Sequence, residues 1–238
     1  MKKIVVIPTY NESENIVNLI NQINKLEIND MHILIVDDNS PDGTADLVRK
    51  ISKKNNNVHL LSRTADRGRG SAGIAGFKKA LEIGGDIICE MDADFSHNPK
   101  YLPDLINKLR DCDVTIGSRF VSGGSDEDRP FLRRLLTILA NFYIRVLLGL
   151  KVGDCNSGYR CFRRDVLQKI NLDKITSRGP SIVQEILYKA HLAGFSIKEI
   201  PIEFVERKEG KSKLGLRHLY KGYTMVLKLK FLRLIGRI

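Results

Sequence analysis

Short apolar runs rich in β-branched residues alternate with longer segments of helical periodicity along the first half of this chain. The apolar runs span residues 3–7, 32–36, 58–61, 86–91 and 113–116, and helical patterns between them include residues 71–81 and 99–109. Strands separated by amphipathic helices predict an α/β fold with a mostly parallel sheet covered by helices on both faces. Ligands bind such sheets beyond the carboxyl ends of the strands. The pattern therefore points to the loops at residues 8–13, 37–44, 92–98 and 118–124.

The composition fits a folded protein without a spanning helix. Of the 238 residues, 42% are hydrophobic and 28% are charged, which excludes disordered and collagen-like chains. The longest apolar stretch, residues 135–144, is bounded by Arg134 and Arg145 and is far shorter than the roughly 18 to 20 residues that a spanning helix needs. The cysteines show neither a CxxC pair nor a zinc spacing, which predicts reduced thiols in a cytoplasmic protein. They are Cys89, Cys112, Cys155 and Cys161.

The positive charge is concentrated in the second half of the chain. Residues 1–118 carry a net charge of −2, whereas residues 119–238 carry a net charge of +13, and the two give the total of +11. Such asymmetry indicates an acidic partner, which is a nucleic acid, an anionic membrane face or a phosphorylated substrate. Charge alone does not distinguish these three.

Two carboxylates directly follow the apolar run at residues 86–91. Asp92 and Asp94 are hard oxygen ligands at the carboxyl end of a predicted strand, a position that suits Mg²⁺ or Mn²⁺ bridging a substrate diphosphate. Ser96 is the nearest further oxygen ligand, and His97 is interpreted as a loop residue because a hard cation prefers oxygen. Since DxD triplets are common on protein surfaces, the position after the strand carries this prediction.

A second acidic loop follows the run at residues 32–36. Asp37 and Asp38 have the position of carboxylates that accept hydrogen bonds from ribose hydroxyls or a base edge in dinucleotide folds. Asp42 and Thr44 are candidates for capping the next helix.

Residues 130–149 form an amphipathic helical pattern. Arg133, Thr137 and Asn141 fall on one strip, and the opposite side is apolar. That side comprises Leu132, Leu135, Leu136, Leu139, Phe142 and Tyr143. The cationic strip suits the phosphate of a lipid acceptor, with the apolar side against either the membrane or the rest of the domain. Ile144 and Leu148 lie on the polar side, so the pattern leaves the direction of burial open.

The carboxyl-terminal residues repeat this design, and a basic amphipathic helix is predicted over residues 216–238. Lys230, Arg233 and Arg237 lie on one side, and Leu227, Phe231, Leu234, Ile235 and Ile238 lie on the other. Each basic side chain near anionic lipid contributes about 1 kcal/mol, so the expected attachment to a membrane is peripheral and reversible.

Six segments occur together in an order that is typical of one family. They are PTYNE at 8–12, VDDNSPDGT at 36–44, GRGSA at 68–72, MDAD at 91–94, GSRF at 117–120 and DCNSGYR at 154–160. Over residues 3–215 the chain resembles the family 2 glycosyltransferases, and in particular the members that form dolichol-phosphate mannose. The resemblance implies a Rossmann-like GT-A fold, a sugar-nucleotide donor, Mg²⁺ or Mn²⁺ as cofactor, and inversion at the sugar carbon.

The same resemblance implies roles for individual positions. Those similar to the family's nucleoside pocket are Pro8, Tyr10, Glu12 and Asp38, and the diphosphate and metal site corresponds to Asp92, Ala93 and Asp94. Arg119 resembles an arginine near the phosphates, and Arg207 and Lys213 resemble a mobile basic loop that closes over the donor. Arg133 and Thr137 resemble acceptor-phosphate contacts. Asp154 stands where related enzymes place a base, or it orients an arginine, either Arg160 or one on the acceptor side.

The implied reaction moves mannose from GDP-mannose to a polyprenyl (dolichyl) phosphate. A phosphate monoester with a second pKa of about 6 is already ionised at neutral pH and needs no strong base. Alignment and charge neutralisation by the metal, Arg119, Arg207 and Lys213 then suffice. We expect a catalytic domain over residues 1–215, with a nucleotide half to residue 118 and an acceptor half beyond it. The expected location is the cytoplasmic face of a membrane, with contact through the basic helix or a membrane-anchored partner subunit.

Three alternatives remain open at this point. A family 2 enzyme with another donor, such as UDP-glucose, or with a polysaccharide acceptor fits the same segments. Residues 68–73 match GxGxxG, but the match follows the third predicted strand, whereas a dinucleotide-binding oxidoreductase carries it after the first. A nucleic-acid module would need exposed aromatic residues between basic ones or a reading helix, and neither is evident.

Overall fold

The protein forms one seven-stranded sheet with helices on both faces. The computed structural model describes residues 1–126, 129–205 and 216–236, with side chains from residue 222 onward in the last range. The strands are β1 (Lys3–Thr9), β2 (Met31–Asp37), β3 (Val58–Ser62), β4 (Ile87–Glu90), β5 (Val114–Ser118), β6 (Arg160–Arg163) and β7 (Ile197–Pro201). The helices are α1 (Ile16–Asn24), α2 (Thr44–Ser52), α3 (Arg69–Glu82), α4 (Leu102–Lys108), α5 (Phe131–Leu148), α6 (Arg164–Lys169), α7 (Ile182–Leu192) and α8 (Leu216–Leu234). Two 3-10 turns lie at Pro99–Tyr101 and Leu172–Lys174.

The strand order is β3-β2-β1-β4-β6-β5-β7, and all neighbours are parallel except at β6. β6 runs antiparallel between β4 and β5, with Glu90 opposite Arg160 on one side and Ile116 opposite Arg160 on the other. The predicted α/β fold with a mostly parallel sheet is confirmed, and each predicted strand of the first half is present. Both halves of the chain contribute to this one sheet, because β6, which follows residue 118, lies between β4 and β5, which precede it or end at it.

Two apolar layers cover the faces of the sheet. Successive residues of β1 alternate between them, so that Val5 and Ile7 pack with α1, α2 and α4, while Ile4 and Val6 pack with α3 and α7. α5 and α8 extend the second layer through Ile144 of α5 and neighbouring apolar residues. This packing leaves the carboxyl edge of the sheet for the loops.

Helix α5 presents its apolar side outward. Its buried residues are Asn141, Ile144 and Leu148, so the side that carries the polar strip is the side that faces the domain. α8 packs against α5, with the Tyr143 and Tyr223 rings 5.0 Å apart. The two helices share an outer apolar face, which we define as the exposed apolar side chains Phe131, Leu132, Leu135, Leu136, Ile138, Leu139, Phe142, Val146, Leu227, Phe231, Leu234 and Ile235. Within the described ranges, no helix has the length and apolarity required to traverse a bilayer.

The cysteines differ from the prediction. Cys89 of β4 and Cys161 of β6 lie directly opposite each other and form a disulfide, whereas Cys112 and Cys155 are free and buried. The prediction of four reduced thiols is therefore wrong for this pair. The pairing depends on the register of two strands whose cysteines are 72 residues apart, which spacing in the sequence does not reveal.

Candidate active site

The loops that follow β1 and β2 are joined by hydrogen bonds. The Asn11 backbone N–H donates to Ser40 Oγ (3.0 Å), and the Ser13 backbone N–H donates to Asp42 Oδ2 (2.9 Å). Asn11 and Asn39 have left-handed backbone, with φ of 61° and 56°. Non-glycine residues in this conformation are uncommon and concentrate at functional sites. The two loops therefore form one shaped surface at the carboxyl edge of the sheet.

The acidic residues of the second loop have different functions in the fold. Asp37 is buried and accepts hydrogen bonds from the Ser40 backbone N–H (2.9 Å) and Ser40 Oγ (2.6 Å), so it shapes the turn. Asp42 accepts from the Thr44 backbone N–H (3.0 Å) where α2 begins, but Gly43 holds the N-cap position, so the predicted capping by Asp42 or Thr44 is wrong. Asp38 thus remains as the carboxylate of this loop that suits a nucleoside.

Asp38 sits among basic groups that the sequence did not single out. Its Oδ1 accepts from Arg63 Nη1 (2.5 Å), and its Oδ2 accepts from the Gly68 backbone N–H (2.6 Å). Nearby, the Arg67 guanidinium lies 5.0 Å from the centre of the Tyr10 ring, which is within the range of a cation–π contact. Tyr10 is 39% exposed, so its ring is accessible to a planar base.

The other two residues of the expected nucleoside pocket are part of the framework. Pro8 lies in β1 opposite Val36. Glu12 Oε2 accepts a hydrogen bond from Asn15 Nδ2 (2.9 Å) ahead of α1. Both positions adjoin the loop that carries Tyr10.

The loop that follows β4 carries the two predicted metal ligands. Asp94 Oδ1 accepts from Ser96 Oγ (2.6 Å) and from the Ser96 backbone N–H (3.2 Å), so Ser96 orients this carboxylate. Ala93 between the two aspartates is buried, and Phe95 has a left-handed φ of 61°. Asp92 Oδ1 accepts from Arg69 Nη2 (3.0 Å). The loop is therefore held at both carboxylates.

His97 is a buried side chain that fixes the backbone of this loop through a hydrogen bond from Asp92. It is buried, its ring stacks on Tyr159 at 5.0 Å, and its Nδ1 accepts the Asp92 backbone N–H (3.0 Å). Burial lowers the pKa of His97, although Asp92 and Asp94 act in the opposite direction. The neutral ring shapes the turn, and its Nδ1 lone pair is used by the backbone.

The donor set suits a hard cation that is shared with a substrate. Outside residues 127–128, 206–215 and 237–238, no cluster of three or more His, Cys, Asp and Glu side chains is arranged to hold a metal. Mg²⁺ is commonly bound through one or two carboxylates together with substrate phosphates. Asp92 and Asp94 fit that type of site.

Arg119 and Asp154 form a closed ion pair. Arg119 Nε donates to Asp154 Oδ2 (2.7 Å) and Nη2 donates to Oδ1 (2.9 Å), a two-pronged arrangement. Burial lowers the pKa of Arg119, but the Asp154 carboxylate raises it by more. Glu199 accepts the backbone N–H groups of Gly153 and Asp154 (2.7 and 2.9 Å) and fixes this turn. Asp154 therefore orients Arg119, while Arg160 pairs with Glu90 instead.

The ring of Phe204 connects the donor loop to the basic side of α5. Its centre lies 6.3 Å from the His97 ring, 5.2 Å from the Arg119 guanidinium and 5.5 Å from the Arg129 guanidinium. Arg129 Nη1 also donates to Thr137 Oγ1 (3.3 Å) of α5. A chain of ring and hydrogen-bond contacts thus links the predicted diphosphate loop to the predicted acceptor strip.

The remaining predicted residues are placed as follows. Arg133 is exposed on α5, and its carbonyl accepts from Thr137 Oγ1 (2.8 Å). Asn141 Oδ1 accepts from Asn156 Nδ2 (2.8 Å), which ties α5 to the segment at 154–160. Arg207 and Lys213 lie outside the described residues.

The GxGxxG segment faces protein and not an open crevice. A Cβ on Gly70 would lie 2.6 Å from the carbonyl carbon of Arg178, and a Cβ on Gly73 would lie 3.2 Å from Glu90 Oε1. These glycines allow α3 to approach neighbouring segments closely. The geometry does not support a dinucleotide pyrophosphate at this helix.

Comparisons with known proteins identify the family of this chain. The model of Glycosyl transferase family 2 matches residues 4–171. An undecaprenyl-phosphate mannosyltransferase from Micrococcus luteus is 40% identical over 90% of this chain and 88% of its own. A polyprenol monophosphomannose synthase from Mycolicibacterium smegmatis is 40% identical over 90% of this chain and 81% of its own. A dolichol-phosphate mannosyltransferase from Pyrococcus furiosus is 38% identical over 93% of this chain and 63% of its own.

Solved structures share the architecture at low sequence identity. Glucosyl-3-phosphoglycerate synthase from Mycobacterium tuberculosis, in complex with Mn²⁺, UDP and glucosyl-3-phosphoglycerate, has a TM-score of 0.67 at 18% identity, covering 98% of this chain and 79% of that one. Mannosyl-3-phosphoglycerate synthase from Rubrobacter xylanophilus has a TM-score of 0.66 at 19% identity, covering 100% and 76%. These likenesses establish the GT-A fold. The family match over residues 4–171 shows that this chain belongs to glycosyl transferase family 2.

Proposed function

We propose that this protein transfers mannose from GDP-mannose to a polyprenyl phosphate, with inversion at the sugar carbon. The observation that carries the proposal is the line of contacts from the Asp92 loop through Phe204 to Arg129 and Thr137. In this proposal the two carboxylates form the donor end, and the arginines beside α5, whose apolar side faces outward, form the acceptor end. The names of the relatives at 40% identity support mannose and polyprenyl phosphate as the substrates.

The reaction needs alignment more than proton transfer. An oxygen of the ionised acceptor phosphate attacks C1 of mannose, and the bond from C1 to the diphosphate oxygen breaks, with its electron pair leaving on GDP. Attack from the side opposite the leaving group inverts C1. No base is needed, because the acceptor phosphate is already ionised. Asp154 instead holds Arg119, since both of its oxygens accept hydrogen bonds from that guanidinium. Arg119, fixed by that pair, has the role of contributing positive charge to the diphosphate region.

A divalent cation belongs to this proposal. Mg²⁺ or Mn²⁺ held by Asp92 and Asp94 would supply positive charge against the departing diphosphate. Ser96 orients Asp94 by donating its hydroxyl hydrogen to the carboxylate, and the hydroxyl oxygen keeps lone pairs with which it would be the further ligand. Arg207 and Lys213 are proposed to add positive charge over the donor.

The nucleoside end is proposed to use Tyr10 and Asp38. The accessible Tyr10 ring, with Arg67 over it, suits stacking of a base, and Asp38, with its oxygens at Arg63 and Gly68, suits hydrogen-bond donors of the nucleoside. Pro8 and Glu12 shape the loop beside them. These contacts suit any nucleoside, so the choice of GDP-mannose follows from the relatives.

Transfer assays with a panel of labelled sugar nucleotides test the substrates. With Mg²⁺ or Mn²⁺ and a short polyprenyl phosphate, we expect label from GDP-mannose to enter the lipid phase, and chelation of the cation to abolish the transfer. Label arriving only from a UDP-sugar, or only on a polysaccharide, would contradict the proposed substrates while leaving the family assignment intact.

The outer apolar face is proposed to rest on a membrane surface. Contiguous exposed apolar patches of this kind mark interaction sites on proteins. Basic side chains at the helices' exposed positions accompany the patch: Arg133, Arg134, Arg145, Lys228 and Arg233. Apolar side chains bordered by arginine and lysine match a bilayer surface with anionic headgroups, and the phosphate of the lipid acceptor would lie at the same level.

Vesicle flotation tests this contact. Replacing Leu139 and Phe142 together by glutamate removes two side chains that are 53% and 64% exposed, and we expect at least about a tenfold loss of binding to vesicles that contain anionic lipid. The matched control is Val17→Glu, a 36% exposed position on α1, which should float as the wild type does. Equal flotation of all three proteins would contradict the assignment of this face.

Three further expectations stay predictions. They are the division of the catalytic domain near residue 118, the cytoplasmic face as the side of attachment, and a membrane-anchored partner subunit.

A further inference from the structure

Arg69, at the start of α3, joins two carboxylates at the donor end of the site. Its Nη1 donates to Glu90 Oε1 (2.6 Å), and its Nη2 donates to Asp92 Oδ1 (3.0 Å). The Glu90 side chain is 0% exposed, that of Arg69 is 25% exposed and that of Asp92 is 38% exposed. The bridge therefore leads from the buried end of β4 to a partly exposed carboxylate of the donor loop.

A second arginine holds the buried end of this bridge. Arg160 Nη2 donates to Glu90 Oε2 (2.5 Å), and Arg160 Nη1 donates to the Val183 carbonyl (2.9 Å) of α7. Burial raises the pKa of Glu90, but Arg69 and Arg160 lower it by more, so Glu90 stays ionised between them. Two guanidinium groups thus balance two carboxylates, and Glu90 is a rigid anchor for Arg69.

Glycines leave room for the Arg69 side chain to pass. A Cβ on Gly158 would lie 3.1 Å from Arg69 Nη2, and a Cβ on Gly73 would lie 3.2 Å from Glu90 Oε1. Both distances are shorter than ordinary van der Waals contacts between carbon and nitrogen or oxygen. A methyl group at position 158 would therefore push the guanidinium away by a few tenths of an ångström, beside its contact with Asp92.

We propose that Arg69 is a positioning residue of the donor site, which holds the Asp92 carboxylate in place through its bridge to Glu90. The inference rests on the proposed use of Asp92 with a diphosphate and cation. A partly exposed carboxylate two residues from Asp94 has several rotamers and is repelled by its neighbour, and the bridge selects one of them. Misplacement of a group by about 1 Å can cost a factor of about 100 in rate.

Charge and position predict opposite effects on cation binding. If Arg69 acted only as a positive charge near the site, its removal would strengthen the binding of Mn²⁺ to the carboxylates. If it positions Asp92, its removal weakens that binding, because one ligand is no longer held toward the site. The sign of the change therefore distinguishes the two roles.

The test uses the full chain and Arg69→Met, Arg69→Lys and Gly158→Ala variants. Mn²⁺ binding in the presence of GDP, followed by loss of the free-ion EPR signal, is expected to weaken about tenfold in Arg69→Met, along with about a 100-fold loss of kcat. Arg69→Lys keeps the charge but reaches only one carboxylate, and should fall between Arg69→Met and wild type. Gly158→Ala should cause a smaller loss in the same direction, because it shifts the guanidinium without removing it. The control is Lys78→Met, on the same helix in an exposed ion pair with Asp173, and should match wild type.

A double-mutant cycle completes the test. If Arg69 acts through Asp92, then Arg69→Met in an Asp92→Asn background should cause little further loss of Mn²⁺ binding. Additive losses, or Mn²⁺ binding that is unchanged or tighter in Arg69→Met, would overturn the inference. A wild type that binds Mn²⁺ with GDP but transfers no mannose would refute the proposed function and leave the positioning role standing.

Discussion

Replacing Asp94 by asparagine is expected to lower the rate of mannosyl transfer by about a factor of 1000, which corresponds to about 4 kcal/mol of transition-state stabilisation. The amide keeps an oxygen that can accept from Ser96, so the loop should keep its shape. It loses the negative charge that a divalent cation requires. Initial rates of label transfer at saturating GDP-mannose and Mg²⁺ measure the effect.

The matched control for this substitution is Asp104→Asn. Asp104 is an exposed residue in the first turn of α4, and the same exchange there should leave the rate unchanged. The melting temperatures of both variants should stay near that of the wild type. If Asp94→Asn retains a transfer rate within about threefold of the wild-type rate, the assignment of the cation site is wrong.

Replacing Arg160 by leucine is expected to lower the free energy of unfolding by about 3 to 5 kcal/mol. Arg160 and Glu90 are both fully buried, and the substitution leaves Glu90 with Arg69 as its remaining ion-pair partner. For a chain of this size, the loss corresponds to a fall of about 10 °C in melting temperature. Thermal unfolding followed by circular dichroism measures it.

The double variant Arg160→Leu with Glu90→Leu separates two causes. Replacing a buried ion pair by apolar residues is often neutral, whereas removing Arg160 alone leaves the buried Glu90 charge compensated only by Arg69. We therefore expect the double variant to recover most of the stability that Arg160→Leu loses. A double variant that melts as low as the single one would show that shape, and not charge, explains the loss.

The alternation of apolar runs and helical patterns was enough to predict strands β1 to β5, but the parallel strand β7 was not predicted. Strands β1 to β3 and β5 are runs of Val, Ile and Leu bounded by turn residues, which is a strong local signal. β6 has only four residues, Arg-Cys-Phe-Arg, and is too short to show a period. Its place depends on partners in β4 and β5 that lie far away in the sequence.

The candidate site was only partly predictable for a similar reason. Asp92 and Asp94 follow an apolar run directly, so their position at the sheet edge is a local consequence of the fold. The arginines at 63, 67 and 69 resemble a solvated basic segment in the sequence, and no local pattern says that they return to Asp38 and Asp92. The available signal was that these three arginines lie close together in a half of the chain whose net charge is −2, where acidic partners for them are present.

The direction of α5 was the third feature that the sequence left open. Helical periodicity identifies two sides but not which of them faces the protein, and here the side with Asn141 is buried. The hydrogen bond from Asn156 to Asn141 satisfies that buried amide oxygen and makes this direction possible. Residues near position 156 would have to be placed before this could be predicted.

The antiparallel strand β6 has a consequence for how the chain folds. During synthesis β4 can pair with β1 as soon as it emerges from the ribosome, but the other edge of β4 and both edges of β5 have no partner until β6 and β7 are made. Pairing over such sequence separations raises contact order and slows folding. The nascent chain therefore carries open strand edges for a long interval, and this is the stage at which it is most exposed to aggregation and most dependent on chaperones.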